Sequence, residues 1–210
     1  MPNEKIVTAG RKIEEAGKAL IMLHGRGAGA EDILSISDYL HVKDFAIIVP
    51  QAKSNSWYPQ SFLAPPKTNE PWLSDALKLI ESILASLNEK NINNKHVYFL
   101  GFSQGACLTL EFVARNATRY GGIVAFTGGL IGDKIYKENY KGKFEGTPVF
   151  IGSGNPDFHV PVERVYATTN ILKSMGADVS EKIYDNMGHT INQDEIDQAN
   201  NIIFNSPSLQ

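Results

Sequence analysis

The chain has 210 residues, 42% of them hydrophobic and 20% charged, with a formal net charge of −3. That length suits one domain spanning residues 1–210 and burying about 70% of the surface its unfolded form exposes, so no stapling by disulfides or metal is needed. The slight negative charge supplies no basic field to hold nucleic acid or an anionic membrane, and the single cysteine, Cys107, cannot close an intramolecular disulfide.

The N-terminus lacks the apolar core of a signal peptide, and no apolar run approaches the roughly 18 residues of a membrane span. The expectation is a cytoplasmic protein without integral membrane association. Lys5 to Ala9 reads as a short edge strand, and Arg11 to Gly17 is polar and without clear periodicity. Ala19 to Leu23 is a continuous apolar run, the pattern of a strand buried on both faces. After the glycine-rich segment His24 to Ala30, a helix is predicted from about Glu31 to Leu40, with Glu31 and Asp32 favourably placed in its first turn. Phe45 to Val49 is the next buried strand. A long excursion, Gln51 to Pro71, follows it, rich in Pro, Ser and Asn and carrying Trp57, Tyr58 and Phe62.

Leu73 to Asn88 repeats apolar residues at helical spacing. Val97 to Leu100 reads as a strand and Gln104 to Arg115 as a helix. Gly122 to Phe126 is a further strand, and Leu130 to Gly146 a second excursion. Thr147 to Ile151 is predicted as a strand, with Gly152 to Pro161 as the loop after it. A helix from Val162 to about Met175, a strand from Val179 to Tyr184 and a helix from Gln193 to Phe204 complete the chain. Apolar strands alternating with amphipathic helices imply an α/β fold, a mainly parallel sheet covered on both faces.

Between the strand at Val97 and the helix at Gln104 lies Gly101-Phe102-Ser103-Gln104-Gly105. A strand that turns so abruptly into a helix forces a strained backbone on the residue at its apex, and the flanking glycines remove the Cβ atoms that would collide there. Such a bend lifts the Ser103 hydroxyl clear of the sheet and aims the free N–H groups of the helix start at whatever Ser103 attacks.

In parallel sheets ligands gather at the carboxyl ends of the strands. The segments after successive strands offer His24 to Ala30, then Ser103, then Asp157, then His189. Ser, Asp and His therefore stand in the chain order of a nucleophile elbow fold. A serine hydroxyl needs a neighbouring base, and histidine serves near neutral pH. His41 and His96 belong to the opposite rim, and His24 is placed to shape a turn. His159 lies only two residues from Asp157, too close for acid and base to align with Ser103, so His189 is the candidate base and His159 a pocket residue. Asp157 is the candidate acid, with Asp185 as the competing carboxylate. The expected oxyanion donors are the N–H groups of Arg26 and Gln104. Trp57, Tyr58 and Phe62 can form an apolar pocket wall or pin a long loop to the body. Cys107 reads as small core packing.

Gly25-x-Gly27-x-x-Ala30 also satisfies a dinucleotide-binding fingerprint, but the acidic residue such a site needs at the end of the next strand is absent from Phe45 to Ala52. No cofactor and no metal are expected.

These motifs together, His24-Gly25-Arg26-Gly27, Gly101-Phe102-Ser103-Gln104-Gly105, Asp157-Phe158-His159-Val160-Pro161 and Gly188-His189, resemble the phospholipase/carboxylesterase family of α/β-hydrolases. The likeness spans almost the whole chain. It implies a single-domain α/β-hydrolase without a large cap domain, acting without a cofactor on a small-molecule ester or thioester of short or medium acyl chain, lysophospholipids included, with Ser103, Asp157 and His189 as triad. Two departures separate it from the thioesterase members: Arg26 stands where an apolar residue is usual, and the acid loop reads Gly-Asn-Pro-Asp. Readings that compete with an esterase are a lactone or carbon–carbon bond hydrolase of the same fold, and a non-catalytic protein binding a small ligand or a partner. Monomer and homodimer fit the chain equally.

Overall fold

The computed structural model describes residues 5–204. Its seven strands are β1 (Ile6–Gly10), β2 (Lys18–Leu23), β3 (Phe45–Pro50), β4 (Val97–Phe102), β5 (Gly122–Phe126), β6 (Pro148–Asn155) and β7 (Asp178–Asp185). They form one sheet in the order β1-β3-β2-β4-β5-β6-β7. Only β1 is antiparallel, zipped along β3 with Ile6 opposite Pro50. The five helices are α1 (Ala30–Leu34), α2 (Trp72–Glu89), α3 (Gln104–Arg115), α4 (Val162–Ser174) and α5 (Gln193–Ala199). This is the mainly parallel α/β-hydrolase sheet with helices on both sides.

Alternation along the strands explains why both faces are covered. In β2, Ala19, Ile21 and Leu23 join the core beneath α2, α3 and α4, whereas Leu20 and Met22 join the core beneath α1 and α5. A strand whose successive side chains all reach apolar surroundings must be apolar throughout, which is the run seen in the sequence. Helix α3 is buried along its length from Gln104 to Ala114, because it lies between the sheet and the two excursions.

Three elements depart from the sequence expectation. The helix predicted from Glu31 to Leu40 is α-helical only to Leu34 and continues as a 3-10 turn, Ser35–Tyr39. The helix predicted from Gln193 to Phe204 passes into a π turn at Asn200–Phe204. The largest difference is β6. It continues past Ile151 to Asn155, because Gly152, Ser153, Gly154 and Asn155 keep pairing with β7 up to Asp185. Glycine normally weakens a strand, but here bulk is excluded: a Cβ on Gly154 would lie 2.1 Å from the Met187 carbonyl oxygen, so the glycine lets the segment after β7 fold back across β6.

The chain runs outward from β2 to β3 and then returns to place β4 on the other side of β2. The carboxyl ends of β2 and β4 therefore flank the point where strand order reverses, the position at which open α/β sheets form a crevice.

Candidate active site

Ser103 occupies the bend between β4 and α3 with φ 54° and ψ −118°, a left-handed conformation costly for any residue with a side chain. The bend is held by contacts too close for side chains. A Cβ on Gly101 would lie 2.4 Å from the Gly105 carbonyl oxygen, and one on Gly105 would lie 2.1 Å from that of Leu23. The Ser103 N–H donates to the Phe126 carbonyl at 3.0 Å, fixing the bend to β5.

Two loops bring side chains to this serine. His189, in the segment after β7, places Nε2 2.7 Å from Ser103 Oγ and Nδ1 2.8 Å from Asp157 Oδ2. An ionised carboxylate only accepts, so Nδ1–H donates to Asp157 and Nε2 is left to accept from the serine hydroxyl. Asp157 is itself over-determined: its Oδ1 accepts the N–H groups of His159 at 2.7 Å and Val160 at 3.0 Å. Burial alone would raise its pKa, but the bonds from His189, Val160 and His159 together hold it below the ordinary carboxylate range. An imidazole so placed can take the hydroxyl proton while a fixed negative charge stabilises the resulting imidazolium. Asp185 ends β7 with its side chain exposed and makes no bond to His189. His159 meets His189 only ring to edge, with centroids 4.8 Å apart at 63°.

The segment after β2 lies against the bend, since a Cβ on Gly25 would be 3.4 Å from that of Ser103. His24 is fully buried and organises the turn, as expected. Its Nδ1–H donates to the Gly25 carbonyl at 2.8 Å and its Nε2 accepts the Ala52 N–H at 3.1 Å. Burial lowers its pKa, keeping the ring neutral for those two roles. Next to it, the Gly27 N–H donates to the Asn55 carbonyl at 2.8 Å. The N–H groups of Arg26 and Gln104 have no hydrogen-bond partner among the described residues. Unpaired backbone donors beside a nucleophile are the groups an oxyanion needs.

A cleft of about 390 Å³ opens beside Ser103. Tyr58, Phe62, His159 and Cys107 line it together with the Arg26 side chain. Of the two roles open to Trp57, pocket wall or anchor pinning the loop to the body, the structure shows the second and corrects its placement in the cleft lining. Its indole N–H donates to the His24 carbonyl at 2.8 Å and its ring packs on His24 at 4.9 Å, so it sits behind the wall as an anchor. The amphipathic indole finds both an apolar body and an acceptor there. Burial pushes the Cys107 thiol up to about 12, so it stays protonated although it borders the cleft.

Two side chains hold the wall through partners the sequence does not identify. The Gln104 side chain accepts the Trp57 N–H at 3.0 Å and donates to the Tyr58 carbonyl at 2.8 Å. The Arg26 guanidinium donates to the carbonyls of Tyr58, Pro59 and Gln60 at 2.9, 2.8 and 2.6 Å. These partners lie more than thirty residues away in the chain, beyond any local pattern. The second excursion, residues 130–146, lies apart from the cleft lining. The Gly132 N–H donates to the Phe62 carbonyl at 2.7 Å, and the buried Glu111 accepts the Ile131 N–H at 3.0 Å. Among the described residues no group of three or more His, Cys, Asp or Glu could hold a metal ion, and no helix is long and apolar enough to cross a membrane.

Comparison with known proteins gives a consistent set. The sequence profile described as phospholipase/carboxylesterase matches residues 3–205. The chain is 28% identical over 132 residues to acyl-protein thioesterase 1 of Gibberella zeae, covering 60% of this chain and 56% of that protein, so this match spans little more than half the relative's length. It is 26% identical over 219 residues to acyl-protein thioesterase 1 of Saccharomyces cerevisiae, covering 94% and 96% of the two chains. The crystal structure of a phospholipase/carboxylesterase from Dyadobacter fermentans superposes with a TM-score of 0.95 at 51% identity, covering 96% of this chain and 97% of that one.

Proposed function

The chain belongs to the phospholipase/carboxylesterase family, whose members include carboxylesterases and acyl-protein thioesterases, and from that premise we propose that it is a serine esterase using Ser103, His189 and Asp157. The observation that carries the reading is the continuous hydrogen-bonded chain from Ser103 Oγ through the His189 ring to the Asp157 carboxylate.

In this mechanism the Ser103 oxygen attacks the carbonyl carbon of a carboxylic ester as His189 Nε2 takes its proton. The carbonyl oxygen becomes an oxyanion between the N–H groups of Arg26 and Gln104, where losing one such donor costs about 3 kcal/mol. Protonated His189 then delivers its proton to the departing alcohol oxygen, and the carbon–oxygen bond breaks to leave an acyl group on Ser103. Water enters, gives a proton to His189 as it attacks the acyl carbon, and the returning proton frees Ser103. Asp157 fixes the tautomer throughout. Strain at Ser103 serves this cycle by presenting Oγ above the sheet with the start of α3 behind it. The cleft volume suits short or medium acyl esters.

The test is covalent. Incubation with a fluorophosphonate should add its phosphonyl mass to a peptide containing Ser103 and abolish ester hydrolysis in parallel. Full hydrolysis with no adduct on Ser103 would assign the chemistry elsewhere.

A further inference from the structure

Arg26 is the one permanently charged side chain lining the cleft among the described residues. Among the described residues no carboxylate lies within ion-pair distance of it, so its unit charge is unmatched there. Its three hydrogen bonds go to carbonyl oxygens, which are dipoles and leave the net charge in place. A guanidinium carries five N–H donors. Three are engaged by the wall, and the other two, Nε–H and one Nη1–H, have no partner among the described residues.

The position of this charge is unusual for a surface arginine. A free arginine side chain would lose rotamer freedom on gripping a ligand, but here the carbonyls of Tyr58, Pro59 and Gln60 have already fixed the fork. The Tyr58 ring lies below it, with 6.0 Å from guanidinium carbon to ring centroid. The same residue supplies a backbone N–H on the loop beside Ser103, so the charge stands within one side chain's length of the carbonyl under attack. The carboxylate of Asp157 is bonded to His189 and makes no ion pair with Arg26.

We propose that the cleft selects esters bearing an anionic group a short chain away from the ester carbonyl, with Arg26 as the specificity-determining residue. This inference rests on the serine esterase reading and gives it a substrate class. The anion is a carboxylate on the acyl part or a phosphate on the alcohol part, either of which can accept from one of the remaining donors and is drawn by the unpaired charge.

Two matched pairs test it by pH-stat. Monomethyl glutarate against methyl pentanoate changes only a terminal methyl into a carboxylate on the acyl side. Acetylglycerol phosphate against acetylglycerol makes the equivalent change on the alcohol side. The anionic member of one pair is expected to show a kcat/KM about tenfold higher or more, decreasing with added salt, and the responding pair identifies which side carries the anion. Arg26→Gln should erase that preference. Arg26→Lys keeps the charge but cannot hold three carbonyls, so it should retain most of the preference while lowering turnover of both members. Equal kcat/KM within both pairs overturns the inference, as does a preference that survives Arg26→Gln. If a fluorophosphonate labels Ser103 yet neither anionic ester turns over, the substrate class is overturned and the nucleophile stands. Failure of labelling overturns the esterase reading itself.

Discussion

Replacing Asp157 by Asn separates the chemistry of the acid from its structural role. The two atoms of the carboxylate do different work: Oδ1 accepts the N–H groups of His159 and Val160, and Oδ2 accepts Nδ1–H of His189. An asparagine oriented with its carbonyl oxygen in the Oδ1 position preserves the loop. Its NH2 then faces His189 Nδ1, where two donors cannot meet, so the imidazole must carry its proton on Nε2 and point it at Ser103 Oγ. The base is then absent from the side where it is needed. Loss of a triad carboxylate by such a tautomer switch costs about four orders of magnitude in kcat, or roughly 5 kcal/mol. Because the loop bonds survive, the melting temperature at neutral pH should fall far less than in Asp157→Ala, which loses those bonds as well.

The pH dependence gives a second readout. Asp157 is held below the ordinary carboxylate range in the fold, so its ionised form adds stability above the unfolded pKa of about 3.9 and loses it as pH falls through the lower folded value. The stability difference between the parent and Asp157→Asn should therefore shrink below about pH 4. The assay is kcat/KM on a short ester beside thermal melting at several pH values. Retention of more than about a tenth of the parent activity would refute Asp157 as the acid. The exposed Asp185 provides the control, and Asp185→Asn should leave kcat unchanged.

Three further outcomes are expected. His159→Ala should keep turnover within about tenfold, because its ring only edges that of His189 and its backbone N–H, not its side chain, holds Asp157; His189→Ala should lose on the order of 10⁴-fold or more. Gly105→Ala would place a Cβ 2.1 Å from the Leu23 carbonyl oxygen and should cost about 3 kcal/mol, lowering the melting temperature by about 5–10 °C; an unchanged melt would contradict the close approach. Burial pushes the Glu195 carboxyl up to about 7 from 4.5, so the fold favours its protonated form, and the stability this brings is complete below about pH 4.5 and lost as pH rises to about 7. Glu195→Gln should therefore melt higher than the parent at pH 8 but not at pH 4.5, and parallel pH curves for the two proteins would exclude this reading.

How much of this was legible depended on whether the controlling contacts are local. The strands β2, β3 and β5 are readable because burial on both faces demands unbroken apolar runs. The bend at Ser103 is readable because its glycines lie two residues either side. Ser103, Asp157 and His189 follow β4, β6 and β7, so strand alternation alone places them on one rim. The end of β6 was misread, since Gly152-Ser153-Gly154 has the composition of a loop and only the returning segment at Met187 explains its glycine. Trp57 stayed open between cleft wall and loop anchor for a similar reason: in a loop rich in Pro, Ser and Asn nothing local separates an aromatic facing a cleft from one seated on a buried histidine. The Arg26 clamp left no local signal at all, because its acceptors are main-chain carbonyls and carry no side-chain identity.

Strand β6 pairs with β5 only as far as Gly152, but with β7 through Asn155. Its last three residues and the end of β7 thus project beyond the sheet as a two-stranded ribbon, and Asp157 and His189 hang from its tips. The serine rides on the interior of the sheet. A local fraying of this ribbon would carry acid and base away together and leave the hydroxyl where it was, so mild heating should silence the enzyme in one step while most of the sheet is still intact.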